Sequence, residues 1–126
     1  MKKTFLALAL LLGLALLSGW NLRHLQKLTD ELCFGVEEAR SLAQEGNFTA
    51  ADEALARSLD RWLDADGYTH VFIRHSEIDA ATDIFYDLRG SILAQETETV
   101  EAEAEKLLYH LRSIYTMERV SIRSVF

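Results

Sequence analysis

The sequence predicts an all-α fold: an antiparallel bundle of three to four helices following an N-terminal transmembrane or signal helix. Three observations carry that expectation. The 126 residues contain no proline and only 6 glycines, so few positions interrupt a helix. Apolar residues after the N-terminus recur at spacings of three and four rather than two. Near the N-terminus, Thr4 to Leu22 is a single uncharged apolar run. The length bounds the chain to one domain plus that run, with expected boundaries of 1–22 for the apolar helix and 23–126 for the helical domain.

The first element is "MKKTFLALALLLGLALLSGWNL". Lys2 and Lys3, an apolar stretch from Phe5 to Leu17, then Ser18, Gly19 and Trp20 follow the layout of a secretory signal. Two readings remain, cleavage near Gly19 or an uncleaved anchor. Thr4 to Leu22 reaches the short end of the roughly 17–25 residues that a spanning helix needs. The absence of an Ala-x-Ala end, the interfacial character of Trp20 and the unbroken pattern Leu22, Leu25, Leu28, Leu32 favour the anchor. Lys2 and Lys3 place the N-terminus inside and the domain outside the cytoplasmic membrane, although Arg23 and Lys27 oppose that asymmetry. The expected location is therefore the cell membrane, single-pass and extracytoplasmic, with export after signal cleavage as the alternative. "LSGW" has tryptophan where a lipoprotein box requires cysteine, which excludes lipidation.

The soluble elements follow in order. Leu25, Leu28, Leu32, Val36, Ala39 and Ala43 form one stripe. It should end at "QEGNF", with Gly46 in the left-handed cap and Asn47 or Thr49 capping the next helix. Ala51, Leu55, Leu59 and Trp62 form a second stripe. This hairpin resembles one tetratricopeptide unit, but a single copy makes no solenoid. "DADGY" lacks the ligands of a calcium loop; it reads as a break or kink near 64–68 at Gly67, or as a polar patch within one long helix, since Gly67 costs a helix only about 1 kcal/mol. Val71, Ile78, Phe85 and Ile92, with Ala81 and Leu88, form a heptad seam. After a turn at "AQETET", capped by Thr97 or Thr99, Val100, Leu107 and Ile114 line one row; Ala104, Leu111, Glu118 and Val125 line another.

Charge narrows the function classes. A net charge of −7 argues against nucleic acid, which needs a clustered cationic surface. Every Asp and Glu lies from Asp30 onward, so the exported domain is more acidic than the chain, and an acidic surface repels anionic lipid headgroups. Cys33 is alone and reads as a buried thiol, with an intermolecular bridge as the alternative.

The densest chemistry is "IRHSEIDAATDIFYDL". On a helix His75 and Glu77 point about 160° apart, because each residue turns about 100°. His75 and Asp79 share a side, and Asp79, Asp83 and Asp87 read as a solvated flank. A metal or small ligand would have to gather His75, Asp79, His110 and Glu118 from two helices, and no Glu-x-x-His motif supports a di-iron site. No nucleophile turn or phosphate loop is present, so neither an enzyme nor a cofactor is expected. An antiparallel hairpin turning around residues 95–98 sets Ile78 against Ile114 and Leu88 against Ala104. It also sets Arg74 against Glu118, bordered by His75, as a structural polar cluster inside the seam that fixes register.

The apolar N-terminus, Trp62, "HSEID" at His75–Asp79 and "YHLRSIYTMERVSIRSVF" at the C-terminus resemble an uncharacterised bacterial domain-of-unknown-function family, number 4363, found mainly in Firmicutes. The family pattern falls on His75, Glu77, Ile78 and Asp79, then on His110, Leu111 and Glu118. It departs at Ser124-Val125-Phe126, where the family's asparagine is absent. The resemblance implies small, N-terminally anchored helical proteins with no assigned activity, and His75 and Glu118 in one structural cluster. Two function classes follow. One is a membrane-anchored interaction or accessory module with an unidentified protein partner, working through the Asp79–Asp83–Asp87 flank or through Phe72, Tyr86 and Tyr109. The other is a ligand- or metal-binding bundle built on His75, Asp79, His110 and Glu118.

Overall fold

The computed structural model describes residues 1–65, 69 and 73–125, with side chains described through Val120. Its helices are α1 (Lys2–Gln44), α2 (Phe48–Asp64), α3 (His75–Leu93) and α4 (Thr97–Val125). No strand occurs among the described residues. Helix α1 runs for 43 residues without a break, so the apolar N-terminal arm and the first core helix are one element. Nothing in the sequence between Leu17 and Leu25 breaks a helix: Gly19 alone costs about 1 kcal/mol.

The turns between helices have local causes. Gly46 takes φ +82°, the left-handed conformation that ends α1. The Asn47 side chain accepts the Ala50 N–H at 3.3 Å and starts α2, as the spacing predicts. Helix α2 stops at Asp64, in keeping with a break; Gly67, the residue expected to cause it, lies outside the described residues, as does Val71. Between α3 and α4 it is Gln95, not a glycine, that adopts positive φ, at 58°. Helix α4 then begins at Thr97 itself, so neither Thr97 nor Thr99 is the residue ahead of it.

The stripes become the core. Leu25, Leu28, Leu32, Val36, Ala39 and Ala43 are at most 1% exposed. Ala51, Leu55, Leu59, Trp62, Ile78, Ala81, Phe85, Leu88, Ile92, Val100, Ala104, Leu107, Leu111 and Ile114 join them. Chain direction follows from cross-helix contacts. Ser58 Oγ donates to the Leu32 carbonyl, and Arg61 pairs with Glu31, so α2 returns beside α1. Trp62 Nε1 donates to Thr82 Oγ1 and Arg89 pairs with Asp52, so α3 runs antiparallel to α2. Arg40 pairs with Glu101 and Arg112 with Glu37, so α4 runs antiparallel to α1. The C-terminus of α2, the start of α3 and the C-terminal half of α4 therefore share the end of the bundle from which the apolar arm projects.

Candidate functional site

The start of α3 brings together most of the charged residues that the sequence singles out. Arg74 is not a core residue. It is the N-cap of α3, extended at φ −61° and ψ 137°, and exposed. A heptad row counted through Arg74 presumes a helix that has not yet begun there, which is why the expected seam position fails. The Glu77 and Ile78 N–H groups both donate to the Arg74 carbonyl, at 3.0 and 3.1 Å. Arg74 thus fixes the first turn through its backbone while its side chain stays in solvent.

His75 and Asp79 sit one turn apart on the outer face, with Nε2 and Oδ2 3.6 Å apart and both side chains exposed. Asp83 and Asp87 are exposed along the same flank. Tyr86 and Tyr109 are exposed too, whereas Phe72 and His70 lie outside the described residues.

Glu77 and His110 form the pair that sequence reasoning passed over. His110 Nε2 lies 3.2 Å from the Glu77 carboxylate and 3.2 Å from the Glu77 carbonyl oxygen. A carbonyl oxygen only accepts, so Nε2 carries the proton and donates to it, with the carboxylate beside the same nitrogen. The two side chains are only 21% and 27% exposed, and they tie the first turn of α3 to the middle of α4. A signal for this pair was available. Glu77 precedes the core residue Ile78 and His110 precedes the core residue Leu111, which puts both on the edges of facing seams. Comparing Glu77 only with His75, its neighbour on the same helix, hid it.

Glu118 and Arg74 line one cleft of about 380 Å³ with Ile73, Glu77, Ile114 and Met117. Burial pushes the Glu118 carboxyl above its ordinary value, and the Arg74 guanidinium pulls it part of the way back. The two residues are therefore neighbours, as the hairpin register requires. They are not the closed seam pair expected, because Arg74 is outside the core and Glu118 is only half-buried. His75 does not line this cleft.

The proposed metal set does not converge. His75 goes to Asp79, His110 to Glu77, and Glu118 to the Arg74 cleft; among the described residues no three His, Cys, Asp or Glu side chains gather as ligands would. Cys33 is buried on α1, and burial raises its thiol above the ordinary value, with nearby Arg112 lowering it and Asp30 and Glu37 raising it further. It is a packed thiol of the core, as its place on the α1 stripe predicts.

A family model described as a domain of unknown function (DUF4363) matches residues 19–125. The chain belongs to the DUF4363 family. The match begins at the end of the apolar arm and covers every described residue of the bundle. The DUF4363 unit is thus the helical bundle itself, including the Glu77–His110 pair and the Arg74–Glu118 cleft. No curated protein and no solved structure matches the chain.

Proposed function

We propose that this DUF4363 protein is a membrane-anchored extracytoplasmic module that acts by binding another protein. No catalysis is ascribed to it. The observation that carries the reading is the exposure of the arm of α1. Phe5, Leu6, Leu8, Leu10, Leu11, Leu12, Leu14, Leu16, Leu17 and Trp20 are all more than half exposed, on a helix whose later turns are core. The arm includes an 18-residue window of mean hydropathy 2.0, long and apolar enough to cross a membrane. Water is a poor solvent for so much contiguous apolar surface, and a bilayer is a good one. Lys2 and Lys3 favour an inside N-terminus and an outside bundle.

The contact surface we favour is the outer side of α3 and α4, where the Asp79–Asp83–Asp87 flank and the Tyr86 and Tyr109 rings are exposed. A ligand- or metal-binding role would need His75, Asp79, His110 and Glu118 in one place, and they fall into separate pairs. The test is the full-length chain expressed in a bacterial host. It should stay with membranes after alkaline extraction, keep its N-terminal residues, and be digested by protease added outside spheroplasts. Photocrosslinkers at Asp83 and Tyr109 should capture one defined partner. Loss of the first 19 residues would replace the anchor with a cleaved signal, and protection from external protease would reverse the topology.

A further inference from the structure

We infer that the base of the bundle is seated in the headgroup layer of the bilayer that holds the arm, with no stalk between anchor and domain. This deepens the anchored reading above and rests on it. The contact is one of depth and needs no particular headgroup charge.

Anchor and bundle compete for the same stretch of α1. At about 1.5 Å per residue, the uncharged segment Thr4–Leu22 is ~28 Å long, against a hydrocarbon core of about 30 Å. A spanning anchor therefore has no residues to spare, and Leu22 lies at the edge of the hydrocarbon. Tertiary cover nevertheless starts before Leu22. Leu17 and Trp20 are 53% and 62% exposed, but Ser18 is half-buried, Asn21 is 6% exposed and Leu25 1%. A lone helix leaves its side chains open, so another part of the fold stands against α1 inside the apolar segment. That cover also explains how Asn21 is tolerated there, since an amide bare to lipid is costly. The turn beyond Leu22, as far as about Gln26, then falls within a headgroup layer roughly 5–7 Å deep.

Helix register gives the same level from a second element. Arg112 pairs with Glu37 at 3.2 Å, and α4 runs antiparallel to α1 as far as Val125. Val125 is as far beyond Arg112 in sequence as His24 is before Glu37. The end of α4 is therefore roughly level with His24, only ~3 Å beyond Leu22. Trp20 marks the boundary: its exposed ring stacks on His24 with centroids 5.6 Å apart, and an amphipathic aromatic ring suits the membrane–water interface.

The full-length chain tests this in phosphatidylcholine vesicles. The variants carry Cys33→Ala and one nitroxide-labelled substitution each: Leu12→Cys, Arg23→Cys, Lys106→Cys or Ser124→Cys. Each label is scored by the ratio of its collision rates with oxygen, which concentrates in lipid, and with a water-soluble nickel chelate. Packing hinders both probes alike, so the ratio reports depth rather than burial. The label at position 12 should give the highest ratio, and the one at 106, near the far end of the bundle, the lowest. Those at 23 and 124 should fall between, roughly threefold or more above 106. Suppose the label at 23, or at 124 in a variant that melts like its parent, matches 106 while 12 stays high. That would overturn the seating and leave the anchor standing. A ratio at 12 as low as at 106 would overturn the anchor, and the seating with it. Arg23 is exposed, so its variant keeps the test decisive if the label at 124 disturbs folding.

Discussion

Glu118 sits on a seam row by spacing, yet it is only half-buried, and the cation that acts on it, Arg74, is outside the core. Its raised carboxyl pKa means that the folded chain holds the proton more tightly than the unfolded chain. The stability it contributes is therefore present at low pH and is lost as pH rises through the raised value. Glu118→Gln should then leave the domain at least as stable as wild type at neutral pH. The difference in Tm should shrink as pH falls below the ordinary carboxylate range. Thermal melts across that range read this directly. A variant clearly less stable at neutral pH would mean that Arg74 needs the carboxylate. The nearby Glu77–His110 contact is made instead through the backbone, with the imidazole on the Glu77 carbonyl at the start of a helix.

At the scale of elements, the contact between α1 and α2 depends on one missing side chain. A Cβ added at Gly35 would stand 2.9 Å from Ser58 Cβ and 3.0 Å from Ser58 Oγ. That hydroxyl is already committed to the Leu32 carbonyl at 3.1 Å. Arg61–Glu31 and Arg57–Glu38 bridge the same two helices at the surface. Gly35→Ala should cost about 1–3 kcal/mol in urea unfolding, despite the better helix propensity of alanine. Gly35→Ala combined with Ser58→Gly should recover part of that loss, and no recovery would place the strain elsewhere. Gly90, on α3, has nothing within 4 Å of its added Cβ and provides the control: Gly90→Ala should be neutral or stabilising.

For the molecule as a whole, Phe85 is the keystone of packing. It is fully buried, stacks on Trp62 with ring centroids 6.4 Å apart, and sits where α2 and α3 meet the common core. The Trp62 indole is held in place by a relay: its N–H donates to Thr82 Oγ1, which donates to the Ile78 carbonyl at 2.9 Å. Phe85→Ala should cost about 3–5 kcal/mol, a large part of the stability of a domain this size. The midpoint of chemical denaturation would report it. A loss under 1 kcal/mol would show that the core repacks around the void.

The sequence by itself determined which residues are helical and which face of each helix is buried, because a period near 3.6 and the lack of proline leave few alternatives. Gly46 and Asn47 punctuate the first hairpin for reasons that are entirely local, and Leu25 to Ala43 declare their core face without help. Spacing also put Asp79, Asp83 and Asp87 on one wet flank and brought Arg74 into the neighbourhood of Glu118. Tertiary structure decided what spacing could not. It set where α3 starts, which moved Arg74 from a supposed core row to an exposed cap. It set the contact between helices that gave His110 to Glu77 rather than to a shared metal site. It also brought the start of α3 and the C-terminal half of α4 to the end of the bundle from which the apolar arm projects. Periodicity is a property of one helix at a time, whereas a pair between helices depends on how two axes are set against each other, and only the packed bundle fixes that.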